Sequence, residues 1–548
     1  MLIDTLLWGT RQADPEVTVH FVPAGGFRAV DGWTAATSEG FTAFERARFK
    51  AAFEAISAVT NVDFTVTSDP EADFQIVLDT DEIRGDYLAV FNPPGVGNEG
   101  VGLFDGSSWD RYGGDLKAGG AGFATIVHEL LHGLGLAHPH DEGGRSTRMA
   151  GVTAPFGDFG TFGLNQGVFT TMSYNPGHTG GDSAARAPWT GLYGYEIGPM
   201  ALDIAALQSI YGARDHATGN DVYVLPDHNR SGTGWRAIWD TGGRDEIRHD
   251  GDRDAVIDLR QATLKEAPGG GGFLSSATGI AGGYTIAKGV VIERATGGQG
   301  DDVLTGNAAD NLLTGRGGGD RLAGRGGDDW LRGGGGGDRL SGGAGADRLD
   351  GGGGQDRLSG GGGGDSLSGG AGRDVLSGGS GGDVLSGQGG ADRLSGGGGA
   401  DRLAGRDGDD RLRGGDGDDI LHGGRGADRI AGGAGQDRLW GQAGADVFDF
   451  DSRSDSRAGA GTRDSIADFT RGRDLIDLRG IDADVTRGGN QAAEWIGNAG
   501  FSGTAGELRT RALGGDRIVA LDQDGDGRPD VEIRVAGTPW LGADDFLF

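Results

Sequence analysis

A nine-residue repeat fills residues 297–449 without interruption, and it constrains the fold of this 548-residue chain more than any other feature. The span holds 17 copies of the pattern Gly-Gly-x-Gly-x-Asp-x-Leu-x. The sixth position is Asp in every copy except the second, which has Asn311, and the eighth is Leu or Ile until Phe448 in the last. A short fixed period of this kind indicates a solenoid, in which each repeat packs on its neighbours.

The residue types in the repeat specify a parallel β-roll. Six loop residues turn the chain, because glycine permits positive φ and lets carbonyl groups approach an ion closely. Three residues form a short strand whose apolar eighth residue points inward, and two copies complete one coil. The 17 copies therefore predict between eight and nine coils. A disordered Gly-rich linker is the alternative, but a linker would not keep Asp and Leu in period nine over the whole span.

The sixth-position carboxylates predict bound calcium. Carboxylate and carbonyl oxygens are hard ligands that suit calcium, and the pattern is that of the calcium-binding RTX nonapeptide. The formal net charge of -32 also favours bound cations and argues against a nucleic-acid partner. The predicted ligands within the repeats are Asp302, Asp320, Asp329, Asp338, Asp347, Asp356, Asp365, Asp374, Asp383, Asp392, Asp401, Asp410, Asp419, Asp428, Asp437 and Asp446.

A second motif, His-Glu-x-x-His-x-x-Gly-x-x-His, runs from His128 to His138. On a helix His128 and His132 lie on one face and can bind one zinc ion, while Glu129 lies beside them as a candidate general base. Gly135 can end the helix sharply, so that His138 returns as a third ligand. Three protein ligands leave an open position, as in catalytic zinc sites. Chance occurrence is the alternative, and it is rare in a chain with only 10 His.

Downstream of this motif the chain reads Thr-Met-Ser-Tyr at 171–174. The zinc motif followed by a Met-x-Tyr turn is typical of metzincin peptidases, and the chain resembles the serralysin family of secreted zinc endopeptidases. The resemblance implies that Met172 underlies the zinc site. It also implies that Tyr174 is a switchable zinc ligand and a catalytic residue, whose hydroxyl stabilises the oxyanion. Without the resemblance, Met172 would be core filling and Tyr174 a surface aromatic residue.

The pattern before and after the zinc motif predicts an α/β domain around a twisted sheet. We expect helices at 2–10, 41–59 and 200–211, and strands at 17–22, 62–67, 74–78 and 87–91. The family resemblance implies that strand 87–91 pairs with extended substrate, although an ordinary edge strand is the alternative. We expect a metzincin catalytic domain of α+β (α/β-type) class at 1–235, a β stretch at 236–296, an all-β roll at 297–449, and a C-terminal β cap at 450–548.

Two acidic segments outside the repeat are further candidates for calcium. The turn at 240–245 is similar to the first calcium-binding turn of the family, which implicates Asp240, Gly242 and Asp245. Residues 522–530 have EF-hand-like oxygen spacing, but the twelfth position is Ile533 rather than Glu. A calcium site and an Asp-rich hairpin turn therefore both remain possible for that segment.

The two ends of the chain bear on export. The first ten residues have no basic residue before their short apolar run, so we expect no N-terminal secretory signal peptide. The acidic and then apolar residues 544–548 resemble the uncleaved signal of type I secretion; a final strand of the cap is the alternative, and both can hold. The absence of Cys suits export without a disulfide machinery. We expect no membrane-spanning segment, because no run of about 18 apolar residues occurs.

Two functional hypotheses follow. The first is a secreted, monomeric, calcium-stabilised zinc endopeptidase that uses the type I secretion machinery and hydrolyses extracellular proteins or peptides. Zinc would polarise a water and the scissile carbonyl, and Glu129 would move the proton to the leaving amine. The second is a calcium-structured surface or adhesive RTX protein with a vestigial peptidase domain. The long roll favours the second hypothesis, whereas the intact Glu129 and Tyr174 favour the first.

Overall fold

The computed structural model describes residues 2–30, 33–79, 88–107, 115–142, 144, 146–155, 158–175 and 193–548. The chain divides into two compact units, Met1–Arg294 and Ala295–Phe548. The division falls close to the predicted start of the repeats. The predicted boundaries at 235, 296 and 449 remain predictions.

The first unit combines three α-helices with short strands. Its helices are α1 (Ala43–Ser57), α2 (Ala121–Gly133) and α3 (Ala201–Tyr211). Its strands are β1 (Glu16–Phe21), β2 (Phe27–Val30), β3 (Trp33–Thr37), β4 (Asp63–Thr67), β5 (Phe74–Asp79), β6 (Ala89–Phe91), β7 (Val101–Asp105), β8 (Val222–Val224), β9 (Trp235–Ile238), β10 (Glu246–Arg248), β11 (Ala255–Asp258), β12 (Ser276–Ala277) and β13 (Gly283–Ile286), followed by β14 (Arg294–Thr296) at the division. Among the described helices, none is long and apolar enough to cross a lipid bilayer.

Five of these strands form a mostly parallel sheet in the order β4-β1-β5-β7-β6. Only β6, at one edge, runs antiparallel to its neighbour. Alternation along β1 buries every second side chain, including Phe21, as expected for a strand with one face against a core. The ring of Phe21 meets the ring of Phe49 of α1 edge-on, with 5.6 Å between the ring centroids. The centroids of the Phe49 and Phe104 rings, the latter on β7, lie 4.9 Å apart. These aromatic contacts attach α1 to the sheet.

Most predicted elements of this unit agree with the structure to within two residues at each end. The predicted helix at 2–10 is wrong, because only a 3₁₀ turn at Leu2–Leu6 forms. Leu7 instead forms an antiparallel bridge with Leu136, and the N–H of Trp8 donates to the carbonyl of Gly135 at 3.0 Å. Pairing with the segment after α2 therefore replaces further helical turns. Of the predicted strand at 87–91, β6 covers 89–91, and residue 87 lies outside the described residues.

The second unit is built almost entirely from strands. They are β15 (Val303–Thr305), β16 (Leu312–Gly317), β17 (Arg321–Gly326), β18 (Trp330–Gly335), β19 (Arg339–Ala344), β20 (Arg348–Gly353), β21 (Arg357–Gly362), β22 (Ser366–Ala371), β23 (Val375–Ser380), β24 (Val384–Gly389), β25 (Arg393–Gly398), β26 (Arg402–Asp407), β27 (Arg411–Asp416), β28 (Ile420–Arg425), β29 (Arg429–Ala434), β30 (Arg438–Ala443), β31 (Val447–Asp449), β32 (Ser465–Ile466), β33 (Leu475–Asp477), β34 (Glu494–Gly497), β35 (Glu507–Leu513), β36 (Asp516–Asp522), β37 (Val531–Val535) and β38 (Phe546–Leu547).

The repeats form two large parallel sheets. Strands β16 to β30 with even numbers make one, which we call the even sheet, and β15 to β31 with odd numbers make the other, the odd sheet. Each strand pairs with the strand two repeats later, so that Leu331 lies opposite Leu349 and Leu340 opposite Leu358. The eighth-position side chains are at most 2% exposed. The large parallel sheets of a β-roll, predicted from the sequence, are thus present.

The stack continues beyond the last repeat. Strand β32 pairs in parallel with β30, and β33 with β31. The antiparallel strands β35, β36 and β37 then extend the even sheet, and β38 at the C-terminus pairs with β33. Residues after 449 therefore cover the end of the roll with further strands, as a terminal cap must.

Candidate active site and cation sites

Helix α2 carries the first two histidines, and its C-terminus directs the third. The N–H of Gly135 donates to the His132 carbonyl at 2.9 Å, and the N–H of Leu136 donates to the Leu131 carbonyl at 3.0 Å. These two bonds form a Schellman motif. Gly135 has a φ of +96°, and a Cβ there would overlap the backbone of the N-terminal segment. Glycine at this position therefore lets the chain reverse, which brings His138 back to the helix.

The three histidine side chains converge. The Nε2 atom of His138 lies 3.1 Å from Nε2 of His128 and 3.0 Å from Nε2 of His132. A tetrahedral zinc ion with Zn–N bonds of about 2.0–2.1 Å separates its nitrogen ligands by about 3.3 Å. The observed spacings agree with this value to within a few tenths of an ångström.

The opposite nitrogen of each ring has an oxygen partner. The Nδ1 contacts are His128 to the Thr171 carbonyl at 2.8 Å, His132 to the Leu136 carbonyl at 2.9 Å, and His138 to Asp141 Oδ2 at 2.8 Å. Each Nδ1 therefore carries the hydrogen, and the three Nε2 lone pairs face one another. Three acceptors this close require a cation between them, so the donor set fits zinc.

The electrostatics at His128 and His132 agree with neutral imidazoles. Burial, reinforced by repulsion from His138, lowers the pKa of His128 to about 3, and the same causes hold the pKa of His132 well below its usual value. Burial raises the pKa of Glu129 to about 8, although a hydrogen bond from the N–H of Phe91 acts to lower it. A dication beside Glu129 would favour its carboxylate form.

The segment at 170–174 lies against the histidine cluster. The ring of Tyr174 is stacked on His128 at 5.6 Å and lies 4.6 Å from the ring of His138. Met172 is fully buried, and the carbonyl of Thr171 holds the ring of His128. The structure thus places Tyr174 against the histidine cluster and buries Met172, and the roles that the resemblance implies for both stay predictions.

Asp203 on α3 supports this segment, and sequence reasoning missed it. Its buried carboxylate accepts hydrogen bonds from the Thr170 hydroxyl at 2.5 Å, the Thr171 N–H at 2.7 Å and the Met200 N–H at 2.9 Å. Burial raises the pKa of Asp203 to about 6, although these bonds oppose the shift. In the sequence Asp203 is an ordinary acidic residue in the first turn of a helix, so only the tertiary contacts show its role.

The sixth-position Asp residues form a ladder through the second unit. From Asp320 onward, each Oδ1 accepts the N–H of the residue eighteen positions earlier, as in the 2.8 Å bond from Asp320 to Asp338. That residue is a sixth-position Asp in every case except Asn311, which donates to Asp329. All sixteen are at most 2% exposed, namely Asp302, Asp320, Asp329, Asp338, Asp347, Asp356, Asp365, Asp374, Asp383, Asp392, Asp401, Asp410, Asp419, Asp428, Asp437 and Asp446. The carboxylates therefore point into the roll rather than into solvent.

The second oxygen of most of these carboxylates has no hydrogen-bond donor among the described residues. From Asp320 to Asp446, each buried Oδ2 has no hydrogen-bond partner among the described residues. A Cβ on Gly333 would overlap Asp338 Oδ2 and lie 2.7 Å from the carbonyl oxygen of Gly351, so both oxygens border the same space. Buried carboxylate oxygens without donors are costly, and a cation between coils relieves that cost. This oxygen-only donor set fits calcium.

Burial and mutual repulsion raise the pKa of several carboxyl groups of the ladder. Burial, reinforced by repulsion between successive carboxylates, raises the pKa of Asp419 and of Asp437 to about 7. The same causes raise the pKa of Asp464, just beyond the repeats, to about 9. The folded roll without a cation therefore disfavours the charged form of its own carboxylates.

The sequence of the chain is similar to those of known proteins. Residues 201–548, more than half of the chain, match the family model described as Peptidase M10 serralysin C terminal. The chain belongs to the serralysin family. A serralysin of Photorhabdus laumondii subsp. laumondii is 30% identical over 286 residues, which cover 50% of this chain and 55% of the relative.

Other serralysins give similar values. Metallopeptidase AprA of Pseudomonas marginalis is 31% identical, and the match covers 48% of this chain and 54% of the relative. Serralysin A of Dickeya chrysanthemi is 34% identical, and the match covers 48% of this chain and 53% of the relative. The chain thus spans about half the length of the curated relatives it matches. A solved subunit of an Azotobacter vinelandii mannuronan C5-epimerase, AlgE6R3, is 29% identical over 31% of this chain and 80% of its own length, with a TM-score of 0.21.

Asp221 lies beside the acidic turn at 240–245 that resembles the first serralysin calcium turn, and it joins the predicted Asp240 and Asp245. Carboxylate oxygens of Asp240, Asp245 and Asp221 lie within 4.8 Å of one another, and the Gly242 N–H donates to Asp240 Oδ1 at 3.1 Å. The Asp221 N–H donates to Asp245 Oδ1 at 2.8 Å, and the Asp245 N–H donates to Glu293 Oε2 at 2.9 Å. These are ladder bonds at irregular spacing, so the period of nine could not reveal Asp221 or Glu293.

The ladder also extends past the last repeat of the chain. The Asp437 N–H donates to Asp464 Oδ1 at 2.9 Å, and the Asp446 N–H donates to Asp474 Oδ1 at 3.1 Å. Both residues lie in the predicted cap at 450–548, and their spacing from the preceding ladder Asp is 27 and 28 residues rather than 18. The short Asp-x-Ile pattern at each site, similar to the sixth to eighth repeat positions, is the signal that could have revealed them.

The acidic hairpin at 522–530 uses its carboxylates internally. Asp522, Asp524 and Asp530 offer oxygens within 4.8 Å of one another. The two oxygens of Asp522, however, accept the N–H groups of Gly525 at 2.8 Å and Gly527 at 2.9 Å. These bonds support the turn interpretation, and the calcium alternative stays a prediction.

Proposed function

We propose that this serralysin-family chain is a secreted, calcium-stabilised zinc endopeptidase that hydrolyses peptide bonds of extracellular proteins. The observation that carries the proposal is the convergence of the Nε2 atoms of His128, His132 and His138 at 3.0–3.1 Å, with Glu129 beside them. These histidines would hold zinc, with Tyr174 as an exchangeable further ligand. Membership of the serralysin family and the metal-ready tautomers support the same assignment.

The residues of the site divide the chemistry of peptide hydrolysis among them. Zinc, when bound, supplies a Lewis acid that polarises the scissile carbonyl and makes water more acidic. Glu129, buried at the end of α2, takes a proton from the attacking water and passes it to the leaving amine. The Tyr174 hydroxyl donates a hydrogen bond to the oxyanion of the transition state.

Edge strand β6 places the substrate. It ends the sheet order next to β7, and the N–H of Phe91 at its end donates to Glu129. Gly133 of α2 packs so closely on this strand that a Cβ there would lie 2.7 Å from the Phe91 ring. We propose that an extended substrate adds to β6 as a further strand, which sets its scissile bond beside Glu129.

Calcium would bind between the coils of the roll. Its ligands would be the sixth-position Asp carboxylates, together with Asp240, Gly242 and Asp245 in the first unit and neighbouring carbonyl groups. Sites of extracellular modules fill at about 10⁻⁴–10⁻³ M calcium, so they stay empty in a cytosol and fill outside. The chain would therefore cross a type I secretion system unfolded, guided by residues 544–548, and fold after export.

Replacing Tyr174 by Phe tests the oxyanion role. The ring and its stacking on His128 remain, but the hydroxyl is lost. We expect kcat to fall by about 10²–10³-fold with little change in KM, because the lost bond acts in the transition state. Steady-state cleavage of a quenched fluorescent peptide measures both constants. Tyr284→Phe, which removes a hydroxyl bonded to the Val224 carbonyl, is the matched control. An unchanged kcat would assign Tyr174 to packing alone.

Replacing Asp203 by Asn tests the support of the histidine cluster. The NH₂ group replaces one of the two accepting oxygens and would face either the Thr170 hydroxyl or the Thr171 N–H, so the carbonyl that orients His128 should loosen. We expect zinc affinity to fall by about 10–100-fold, as for other losses of outer contacts to a metal ligand. Competition with a fluorescent zinc chelator measures it, and excess zinc should restore cleavage. Unchanged zinc affinity would show that Asp203 serves only the fold.

Activity and specificity can be tested together. The full chain, loaded with calcium and zinc, is incubated with a peptide library, and the products are mapped by mass spectrometry. We expect new termini within the peptides, absent when Glu129 is replaced by Gln. Intact peptides with a fully metallated protein would contradict the peptidase proposal and favour the adhesive alternative.

A further inference from the structure

The two sheets of the roll differ at the second position of the repeat. On the odd sheet from β19 to β29 this position is glycine throughout, at 343, 361, 379, 397, 415 and 433. On the even sheet from β18 onward it is Gln388 in β24, Arg406 in β26, Gln442 in β30 and glycine in the other strands. The preceding strands β16 and β17, one on each sheet, have Arg316 and Arg325 there, also at positive φ. Since the same repeat builds both sheets, folding of the roll does not require the side chains of Gln388, Arg406 and Gln442.

The three residues have a backbone conformation that suits glycine. Their φ angles are +71° for Gln388, +81° for Arg406 and +65° for Gln442, in the left-handed region. The equivalent glycines of the same sheet are also at positive φ, +108° at Gly370 and +128° at Gly424. Non-glycine residues are strained there, and such strain concentrates at functional positions. The side chains therefore cost the fold something that glycine would avoid.

Their side chains reach back over the preceding coil. The contacts are Gln388 Nε2 to Ser368 Oγ at 2.5 Å, Arg406 Nε to Ser386 Oγ at 3.1 Å, and Gln442 Nε2 to His422 Nδ1 at 3.4 Å. These groups are exposed, so the net gain in stability from the bonds is small. The bonds do, however, fix two amides and a guanidinium in a row along the axis of the roll.

The row borders a groove. Its volume is about 740 Å³, and its polar lining is Ser386, Gln388, Arg406, Asp407, Arg425 and Gln442. On the next strands the rings of His422 and Trp440 are stacked at 4.6 Å with an angle of 22°. Trp440 in turn borders a second cavity of about 560 Å³ whose charged lining is Arg438, Arg463, Arg534, Asp437 and Asp516. An aromatic platform thus lies between a polar groove and a cavity of mixed charge.

We propose that this face of the even sheet binds an acidic polysaccharide laid along the roll. Fixed amides, hydroxyls and a guanidinium suit sugar hydroxyls and carboxylates, and the His422–Trp440 stack offers a platform for a sugar ring. Successive coils repeat every 4.7–4.9 Å or so, which presents similar groups at regular intervals to a polymer of similar units.

Charge and composition select this ligand over a protein. The 740 Å³ groove has two arginines and one acid, and Arg425 pairs with Asp407 at 3.3 Å, so the Arg406 guanidinium is its one cation in excess. In a chain whose formal net charge is -32, an excess cation in the groove favours an anionic polymer over a neutral one. Its lining has no large apolar side chain, whereas protein-binding sites have buried aromatic or aliphatic anchors.

The test uses the full chain at a fixed free calcium concentration and does not depend on peptidase activity. The probes are a short oligogalacturonate, a neutral maltooligosaccharide of equal length and casein peptides, and binding is measured by isothermal titration calorimetry. The triple variant Gln388→Gly, Arg406→Gly, Gln442→Gly removes the row. Arg325→Gly, the same change at a positive-φ second position of the odd sheet, is the matched control.

We expect wild type and Arg325→Gly to bind the oligogalacturonate, with affinity that falls as salt rises. The triple variant should bind it at least about tenfold more weakly, a loss of about 1.4 kcal/mol. Its melting temperature should be unchanged or higher, because glycine relieves the strain. The proposal is overturned if wild type does not bind the acidic oligomer, binds the neutral oligomer or the peptides better, or binds equally well after the triple change. A lower melting temperature of the triple variant would make the row structural and overturn it too.

Discussion

Replacing Glu129 by Gln is expected to reduce peptide cleavage by about 10²–10⁴-fold while zinc stays bound. The three histidines that would hold the metal are untouched, and Gln preserves the size of the buried side chain. The amide cannot take a proton from water, so the loss should appear in kcat. Stopped-flow cleavage of a fluorescent peptide together with zinc analysis by mass spectrometry measures both quantities.

An exposed glutamate provides the control for this change. Glu54 lies on the outer side of α1, so Glu54→Gln makes the same chemical change away from the histidine cluster. Wild-type turnover is expected for that variant. If Glu129→Gln binds zinc normally and also keeps wild-type turnover, Glu129 is not the general base.

Removal of calcium is expected to unfold the β-roll. In the folded roll fifteen carboxylate oxygens from Asp320 to Asp446 are buried without a donor among the described residues. Burial raises the pKa of these carboxyl groups, and at residues such as Asp419 and Asp437 repulsion between neighbouring carboxylates adds to it. Each repeat buries only one large apolar side chain in return. Ion binding should therefore supply the folding free energy of the roll. Circular dichroism during a calcium titration should show β signal that develops toward about 10⁻⁴–10⁻³ M.

A pair of Asp variants sharpens the calcium prediction. Asp383→Asn removes one buried ladder charge and should shift the folding midpoint to higher calcium. Asp350→Asn makes the same change at an exposed position of β20 and should leave the midpoint unchanged. A roll that keeps its β signal in excess chelator, or equal midpoints for the two variants, would refute the proposed role of the ladder.

The sequence was most informative where one pattern determines both structure and chemistry. The nonapeptide period predicted the buried eighth-position side chains and the sixth-position Asp residues of the ladder, because neighbouring coils repeat the same contacts. The zinc motif likewise predicted three converging histidines, because helix periodicity and one glycine at 135 fix their directions.

Features that depend on distant contacts were not visible in the sequence. Asp203 acts through Thr171, 32 residues away in the chain, and Asp221 and Glu293 join the ladder at irregular spacing. Residues 7–10 continue a helical pattern in sequence, yet the backbone pairs with the segment after α2. In each case a tertiary hydrogen bond decided the outcome, and local propensity could not predict it.

The most direct test of the peptidase proposal is selective removal and return of zinc. Casein cleavage by the full chain is followed while calcium is held constant, first with a zinc-selective chelator and then with added zinc. Circular dichroism checks that the roll stays folded throughout. The account predicts that cleavage is lost with the chelator and returns in proportion to zinc bound, to one ion per chain at the histidine triad. Cleavage that continues after the bound zinc is removed, or that the His128→Ala variant retains, would contradict it.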